Sequence, residues 1–130
     1  MDDMAEMHPR VLVVEDDHGY QHLLRLALKR LGCICDICSD GRSALDSITS
    51  TPYDLVIVDI HIPEVDGFMV ACQLREMGCA LPLVAISAVE LEGIERKAKA
   101  VGFDAFLPKP LEDAQIAQVL GRYVPHKATN

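Results

Sequence analysis

Short, wholly apolar, β-branched runs recur along this chain, each followed by a stretch with helical periodicity, and this alternation restricts the fold more than any other feature. Val11-Leu12-Val13-Val14 is the first run. Continuous apolarity over that length fits a strand covered on both faces. Tyr20, Leu24, Ala27, Leu28 and Leu31 then recur at helical spacing, and Gly32 supplies a stop. Cys33 to Cys38 is a second short run, broken by Asp36. Ser39-Asp40-Gly41 reads as a turn and N-cap before the Ala44, Leu45, Ile48 stripe, which Pro52 closes. Leu55-Val56-Ile57-Val58 is the third strand and ends at Asp59, while Pro63 and Asp66-Gly67 mark a loop before a helix through Leu74 to Met77. Pro82 to Ile86 is the fourth strand, ending at Ser87, and the next helix is expected from about Glu90 to Val101, stopped by Gly102. Ala105-Phe106-Leu107 is the fifth, ending at Pro108-Lys109-Pro110, and the last helix is expected from near Leu111 to about Tyr123.

Five βα units in strict alternation imply an α/β fold: one parallel sheet with helices on both faces, joined by right-handed crossovers. The chain has 130 residues, which fits one domain. The expected organisation is a flexible leader over 1–9, a domain over 10–124 and a short polar tail over 125–130. The balance of 12 basic and 20 acidic residues, net −8, argues against direct nucleic-acid binding, which relies on clustered Lys and Arg. Bound cations or basic partner surfaces suit it better. No apolar stretch is long enough for a membrane span. The start, Met1-Asp2-Asp3-Met4, has no apolar segment of a secretory signal. Five Cys cannot all pair within one chain, so reduced thiols and a cytoplasmic setting are expected.

In such folds the site lies beyond the carboxyl ends of the strands. Strand one ends in Glu15 and Asp16, strand three in Asp59, strand four in Ser87 and strand five in Lys109. With the order 2-1-3-4-5, all five side chains converge on one rim. Three carboxylates within ~5 Å repel one another by a few kcal/mol per pair at an effective dielectric of ~20. A hard cation resolves the conflict, and Mg²⁺ takes carboxylate oxygens, keeps waters and commonly shares a phosphate. Lys109 adds a point charge and Ser87 a hydroxyl donor. That set matches phosphoryl transfer, which is mostly positioning and charge neutralisation. Asp59, alone at a strand end before an irregular loop, is the best candidate for a covalent acceptor, since aspartyl phosphate is a known form. Asp17 reads as a cap of the first helix.

At these residues the sequence resembles the receiver domain of two-component response regulators. The matching pieces are Val11 to Asp17, Asp54 to Asp59 with Ile62-Pro63 and Asp66-Gly67 behind it, Pro82 to Ala88, and Gly102 to Pro110, and the resemblance covers roughly residues 10–123. It implies a flavodoxin-like, doubly wound sheet in the order 2-1-3-4-5 flanked by five helices, like that of single-domain chemotaxis regulators. It implies that Asp59 is the phospho-acceptor, attacking a phosphohistidine on a sensor histidine kinase or histidine phosphotransfer protein. Asp16, Asp59 and the backbone carbonyl of His61 would bind Mg²⁺ directly, with Glu15 acting through water. Ser87, where Thr is more usual, would turn toward the phosphoryl oxygens, and Lys109 would pair with them; the Lys109–Pro110 bond is cis in this family. Phe106, where Tyr is common, matches the aromatic switch position and would bury without needing a hydroxyl partner. Phosphorylation would then remodel the face of helix four, strand five and helix five for an unknown output protein. His61, two residues past the acceptor, is expected to shield or orient the hydrolytic water. No enzymatic activity beyond self-phosphorylation and dephosphorylation is expected. A single-domain regulator, a phosphorelay intermediate and a receiver module of a larger protein are all compatible with this reading, and the initiating Met and the tail favour a free-standing protein.

The competing reading is a Mg²⁺-dependent phosphohydrolase with an aspartyl nucleophile. Such enzymes need a second acid two residues after the nucleophile, where this chain has His61. No G-x-G-x-x-G follows the first strand, so a nucleotide site ranks lower. Cys33, Cys35 and Cys38 lack a nearby fourth metal ligand. Strand alternation sends the first two to one face and Cys38 to the other, as structural thiols. Cys72 and Cys79 read as filler. His18 and His22 lie one helical turn apart without a third ligand and read as solvated. Glu92, Glu95, Arg96, Lys97 and Lys99 read as a solvated helix face.

Overall fold

A computed structural model describes residues 8–62, 65–89 and 92–127. Five strands, β1 (Arg10–Val14), β2 (Ile34–Cys38), β3 (Leu55–Asp59), β4 (Leu83–Ser87) and β5 (Ala105–Pro108), alternate with five helices. These are α1 (His18–Arg30), α2 (Gly41–Ser50), α3 (Gly67–Glu76), α4 (Ile94–Val101) and α5 (Asp113–Tyr123). All strand pairs are parallel, in the order β2-β1-β3-β4-β5 expected from the sequence.

The uninterrupted apolar runs have a direct cause. Successive side chains of a strand point to opposite faces, and both faces of this sheet are covered. Val11, Val13, Leu55, Ile57, Val84 and Ile86 pack with Leu24 and Leu28 of α1 and Ile116, Val119 and Leu120 of α5. Leu12, Val14, Val56, Val58, Leu83 and Ala85 pack on the other face with Ala44 of α2, Val70, Ala71 and Leu74 of α3 and Ala98 of α4. Asp17, Asp40 and Asp66 cap α1, α2 and α3 by accepting from the amides of Tyr20, Ser43 and Met69. Each meets a helix donor that has no partner within the helix.

Two helix starts differ from expectation. α4 begins at Ile94 rather than near Glu90, because Gly93 adopts φ 83° and breaks the helical path before it. The expected start at Glu90 lies outside the described residues, as do Pro63 of the loop, residues 1–7 of the leader and 128–130 of the tail. α5 begins at Asp113 rather than near Leu111. There Glu112 and Gln115 form a reciprocal capping box, and the Leu111 amide is directed to the Tyr20 hydroxyl instead. Pro9, at the end of the expected leader, is buried, and its carbonyl accepts the Ile34 amide at 2.8 Å. Lys127 of the tail reaches Asp54 at 3.2 Å.

The cysteines behave as strand alternation predicts. Cys33 and Cys35 pack on the α1/α5 face and Cys38 on the other. All three are free and half-buried. Burial pushes the first two thiols up to about 11 and Cys38 up to about 12, so they stay protonated and unreactive. His18 and His22 are exposed. Among the described residues, no helix is long and apolar enough to cross a membrane.

Candidate functional site

The carboxyl edge of the sheet is where four apolar strands meet their first polar side chains. β1 and β3 are adjacent, so Glu15 and Asp16 come beside Asp59. Carboxylate oxygens of the three lie within 4.8 Å of one another. Glu15 is fully buried and Asp59 is 5% exposed, whereas Asp16 is open to solvent. Lys109 enters from the end of β5. Its Nζ sits 2.6 Å from Glu15 Oε1 and 2.9 Å from Asp59 Oδ2. Its own amide donates to the Ser87 carbonyl at 2.8 Å, and its bond to Pro110 is cis. Four of the five strand-end side chains named from the sequence therefore converge.

Ser87, at the end of β4, engages its hydroxyl elsewhere. It is fully buried, but its hydroxyl donates to the Val89 carbonyl and accepts the Val89 amide, each at 3.0 Å. The hydroxyl is thus closed on its own loop. Phe106 is half-buried and packs against the α2–α4 side of the core. It lines an open groove of about 740 Å³ with Ile94, Arg96 and Lys99 of α4. The His61 side chain is exposed, and its backbone amide donates to Asp59 Oδ1 at 2.9 Å. Both Asp59 oxygens are thereby committed, one to an amide and one to the ammonium.

The electrostatics follow from this crowding. Burial pushes the Glu15 carboxyl above its ordinary value of 4.5, and the Asp59 charge adds to the push. The Lys109 ammonium and the Asp17 amide oppose it without prevailing. Burial alone would lower the Lys109 ammonium, but its close pairing with the Glu15 and Asp59 carboxylates outweighs that and holds it above the usual lysine value. Glu15 Oε1, though close to the ammonium, accepts no well-directed hydrogen bond. Three hard carboxylate oxygens, one of them buried and under-satisfied, fit a hard divalent cation that keeps part of its water.

Several residues that shape this rim were not legible as such. Tyr20 was read only as part of an apolar helical stripe, yet Lys109 Nζ lies 4.3 Å from its ring centroid. Gln21 donates to the Glu15 carbonyl and to Ser39 Oγ, tying the ends of β1 and β2. Gly67 was recognised as a turn marker, but its importance is steric. A Cβ there would lie 2.6 Å from Ile60 Cα and 2.7 Å from the Asp59 carbonyl oxygen. Only glycine lets α3 start directly against the end of β3.

Comparison with known proteins places this geometry in context. The sequence matches the family described as response regulator receiver domain over residues 11–121. It is 37% identical over 123 residues to the response regulator MprA of Mycolicibacterium vanbaalenii, spanning 92% of this chain and 53% of MprA. It is 31% identical over 122 residues to the sensor histidine kinase GacS of Pseudomonas protegens, spanning 90% of this chain and 13% of that protein. The chain thus corresponds to about half of MprA and a small part of the kinase. The receiver domain of the sensor histidine kinase PA1611 from Pseudomonas aeruginosa superposes with a TM-score of 0.83 at 28% identity, covering 91% of this chain and 98% of that one. That domain was crystallised with a magnesium ion coordinated in its active-site cleft.

Proposed function

This chain belongs to the family of response regulator receiver domains, and from that premise we propose that Asp59 accepts a phosphoryl group from the phosphohistidine of a sensor histidine kinase or histidine phosphotransfer protein. One carboxylate oxygen of Asp59 attacks phosphorus as the P–N bond to the donor imidazole breaks. The imidazole keeps the bonding electron pair and takes up a proton, and the product is an acyl phosphate. The observation that carries this reading is the Lys109 ammonium bridging Glu15 and Asp59 inside a three-carboxylate cluster. A half-buried cation at that place has a use when dianionic oxygens arrive beside it.

Asp16, Asp59 and the His61 carbonyl would hold Mg²⁺, with Glu15 acting through water. Bound there, the ion supplies positive charge against the carboxylates and the transferring phosphoryl oxygens. After transfer, the phosphoryl oxygens compete with Val89 for the Ser87 hydroxyl, and Lys109 follows them. The loop after β4 then shifts, and Phe106 moves inward toward the space released. The face built from α4, β5 and α5 becomes the output surface for a protein partner. The net charge of −8 works against nucleic acid as that partner. A clean switch requires phosphorylation to favour one state by several kcal/mol.

The test is incubation with Mg²⁺ and a small phosphodonor such as acetyl phosphate, followed by intact-mass measurement. The wild-type protein is expected to gain one phosphoryl group, and Asp59→Asn to gain none. Equal labelling of the two proteins would remove Asp59 from the reaction. Steady release of phosphate from unrelated esters would favour a phosphohydrolase instead. In the same assay His61→Ala is expected to change the acyl phosphate half-life, shortening it where His61 shields the phosphoryl group and lengthening it where His61 orients the water, and an unchanged half-life excludes His61 from hydrolysis.

A further inference from the structure

Tyr20, on the first turn of α1, touches two parts of the β5–α5 connection. Its ring faces the Lys109 ammonium at 4.3 Å, and its hydroxyl accepts the Leu111 amide at 2.8 Å. The two contacts straddle Pro110. A leucine or isoleucine at this position would serve the apolar face of α1 equally well and offer neither contact. Burial holds the Tyr20 hydroxyl above its usual value, so the ring stays uncharged and its electron-rich face remains available to a cation.

The ammonium therefore has three neighbours: an oxygen of Glu15, an oxygen of Asp59 and the ring face. Two of these change when the site works. Asp59 becomes an acyl phosphate, and Glu15 would turn toward a bound cation. The ring is the neighbour that does not change. A lysine side chain has a flexible four-carbon stem, and without that third contact it has other rotamers to occupy.

We infer that Tyr20 is a positioning residue for phosphoryl transfer, its ring keeping the Lys109 ammonium aimed at the Asp59 carboxylate. This rests on the reading of Asp59 as the acceptor. The contact itself can be read without any phosphorylation, because protons above an aromatic face are shifted upfield by the ring current.

The full chain is compared with Tyr20→Leu and Tyr20→Phe. Three quantities are measured: the proton shifts of the Lys109 methylenes, the rate of acyl phosphate formation with a small phosphodonor and Mg²⁺, and the Mg²⁺ affinity by calorimetry. Upfield Lys109 shifts are expected in wild type and Tyr20→Phe and are expected to vanish in Tyr20→Leu. Phosphorylation is expected to slow about tenfold in Tyr20→Leu, since misplacing a reacting group by about 1 Å costs up to ~100-fold. Tyr20→Phe is expected to stay within about twofold of wild type. Mg²⁺ affinity should be the same in wild type and Tyr20→Phe and no weaker in Tyr20→Leu, because a displaced ammonium competes less for the carboxylate oxygens.

A wild-type rate in Tyr20→Leu, a Phe variant as slow as the Leu variant, or no upfield shift in wild type overturns the inference. Should Tyr20→Leu fail to fold, Tyr20→Phe decides alone: keeping both shift and rate supports the role, and losing either overturns it. A wild-type protein that shows the shift but takes no phosphoryl group overturns the assignment of Asp59, and Tyr20's part in transfer falls with it.

Discussion

Replacing Lys109 by methionine is expected to destabilise the protein by about 3–5 kcal/mol when Mg²⁺ is removed by a chelator, because it leaves buried carboxylates without their cation. Glu15 and Asp59 both face this ammonium, at 2.6 and 2.9 Å, and neither has another charged partner of opposite sign within reach among the described residues. Methionine keeps much of the stem's volume, so packing is a small part of the loss. Urea unfolding measures the difference. Saturating Mg²⁺ should then restore more stability to the variant than to the wild type, since the wild-type ammonium competes with the ion for the same oxygens. Ion at ~100 times its dissociation constant contributes about 2.7 kcal/mol. Phosphorylation from a small donor is expected to fall ~100-fold or more, the usual cost of losing one preorganised charge-stabilising donor. Equal stability of variant and wild type in chelator would show that the cluster carries no electrostatic burden.

Glu15→Gln should act in the opposite direction on the metal-free protein. Carboxylate oxygens within 4.8 Å repel by about 3 kcal/mol at an effective dielectric near 20. Losing the ion pair with Lys109 offsets that relief, and the net gain expected at neutral pH comes from no longer burying a charge, the largest influence on this carboxyl. Burial is the first reason the Glu15 carboxyl is held above 4.5, and the sign of the pH dependence follows. A raised acid favours the folded state in its protonated form. Its contribution is complete below the ordinary value and is lost as pH rises through the raised one. The gap in melting temperature between Glu15→Gln and wild type should therefore be small in acid and widen toward neutral pH. With Mg²⁺ present the order should reverse, because the variant has surrendered one of the charges that draws the ion. A gap that does not change with pH would place the Glu15 carboxyl at its ordinary value.

How much of this was legible depends on what each residue's neighbours are. The strands could be read because both sheet faces are covered, so no polar residue interrupts β1, β3 or β4 before its end. The rim could be read for the same reason: Glu15, Asp59, Ser87 and Lys109 are the first polar side chains after buried runs. Asp36 within β2 was only an interruption in the sequence. In the fold it has partners, the Tyr53 hydroxyl at 2.7 Å and Arg10 at 3.5 Å. The orientation of Ser87 was not legible, because it depends on how the following loop closes on it. The start of α4 was missed because Gly93 takes a positive φ, which composition does not signal. Nothing in the sequence pattern singles out Arg75. It donates to the carbonyls of Cys79, Leu81 and Gly102 and pairs with Asp104, joining α3 to the approach to β5. Contacts of that kind are set by three-dimensional reach and leave no periodic trace.

The close seat of Gly67 on the Asp59 carbonyl has a mechanical consequence. Most strand-to-helix connections contain side chains that rotate or compress and so absorb small movements. Here backbone rests on backbone with nothing soft between. A side chain at Gly67 would have to lift the first turn of α3 off the strand tip, so the seat of that helix and the end of β3 are set together by one missing Cβ.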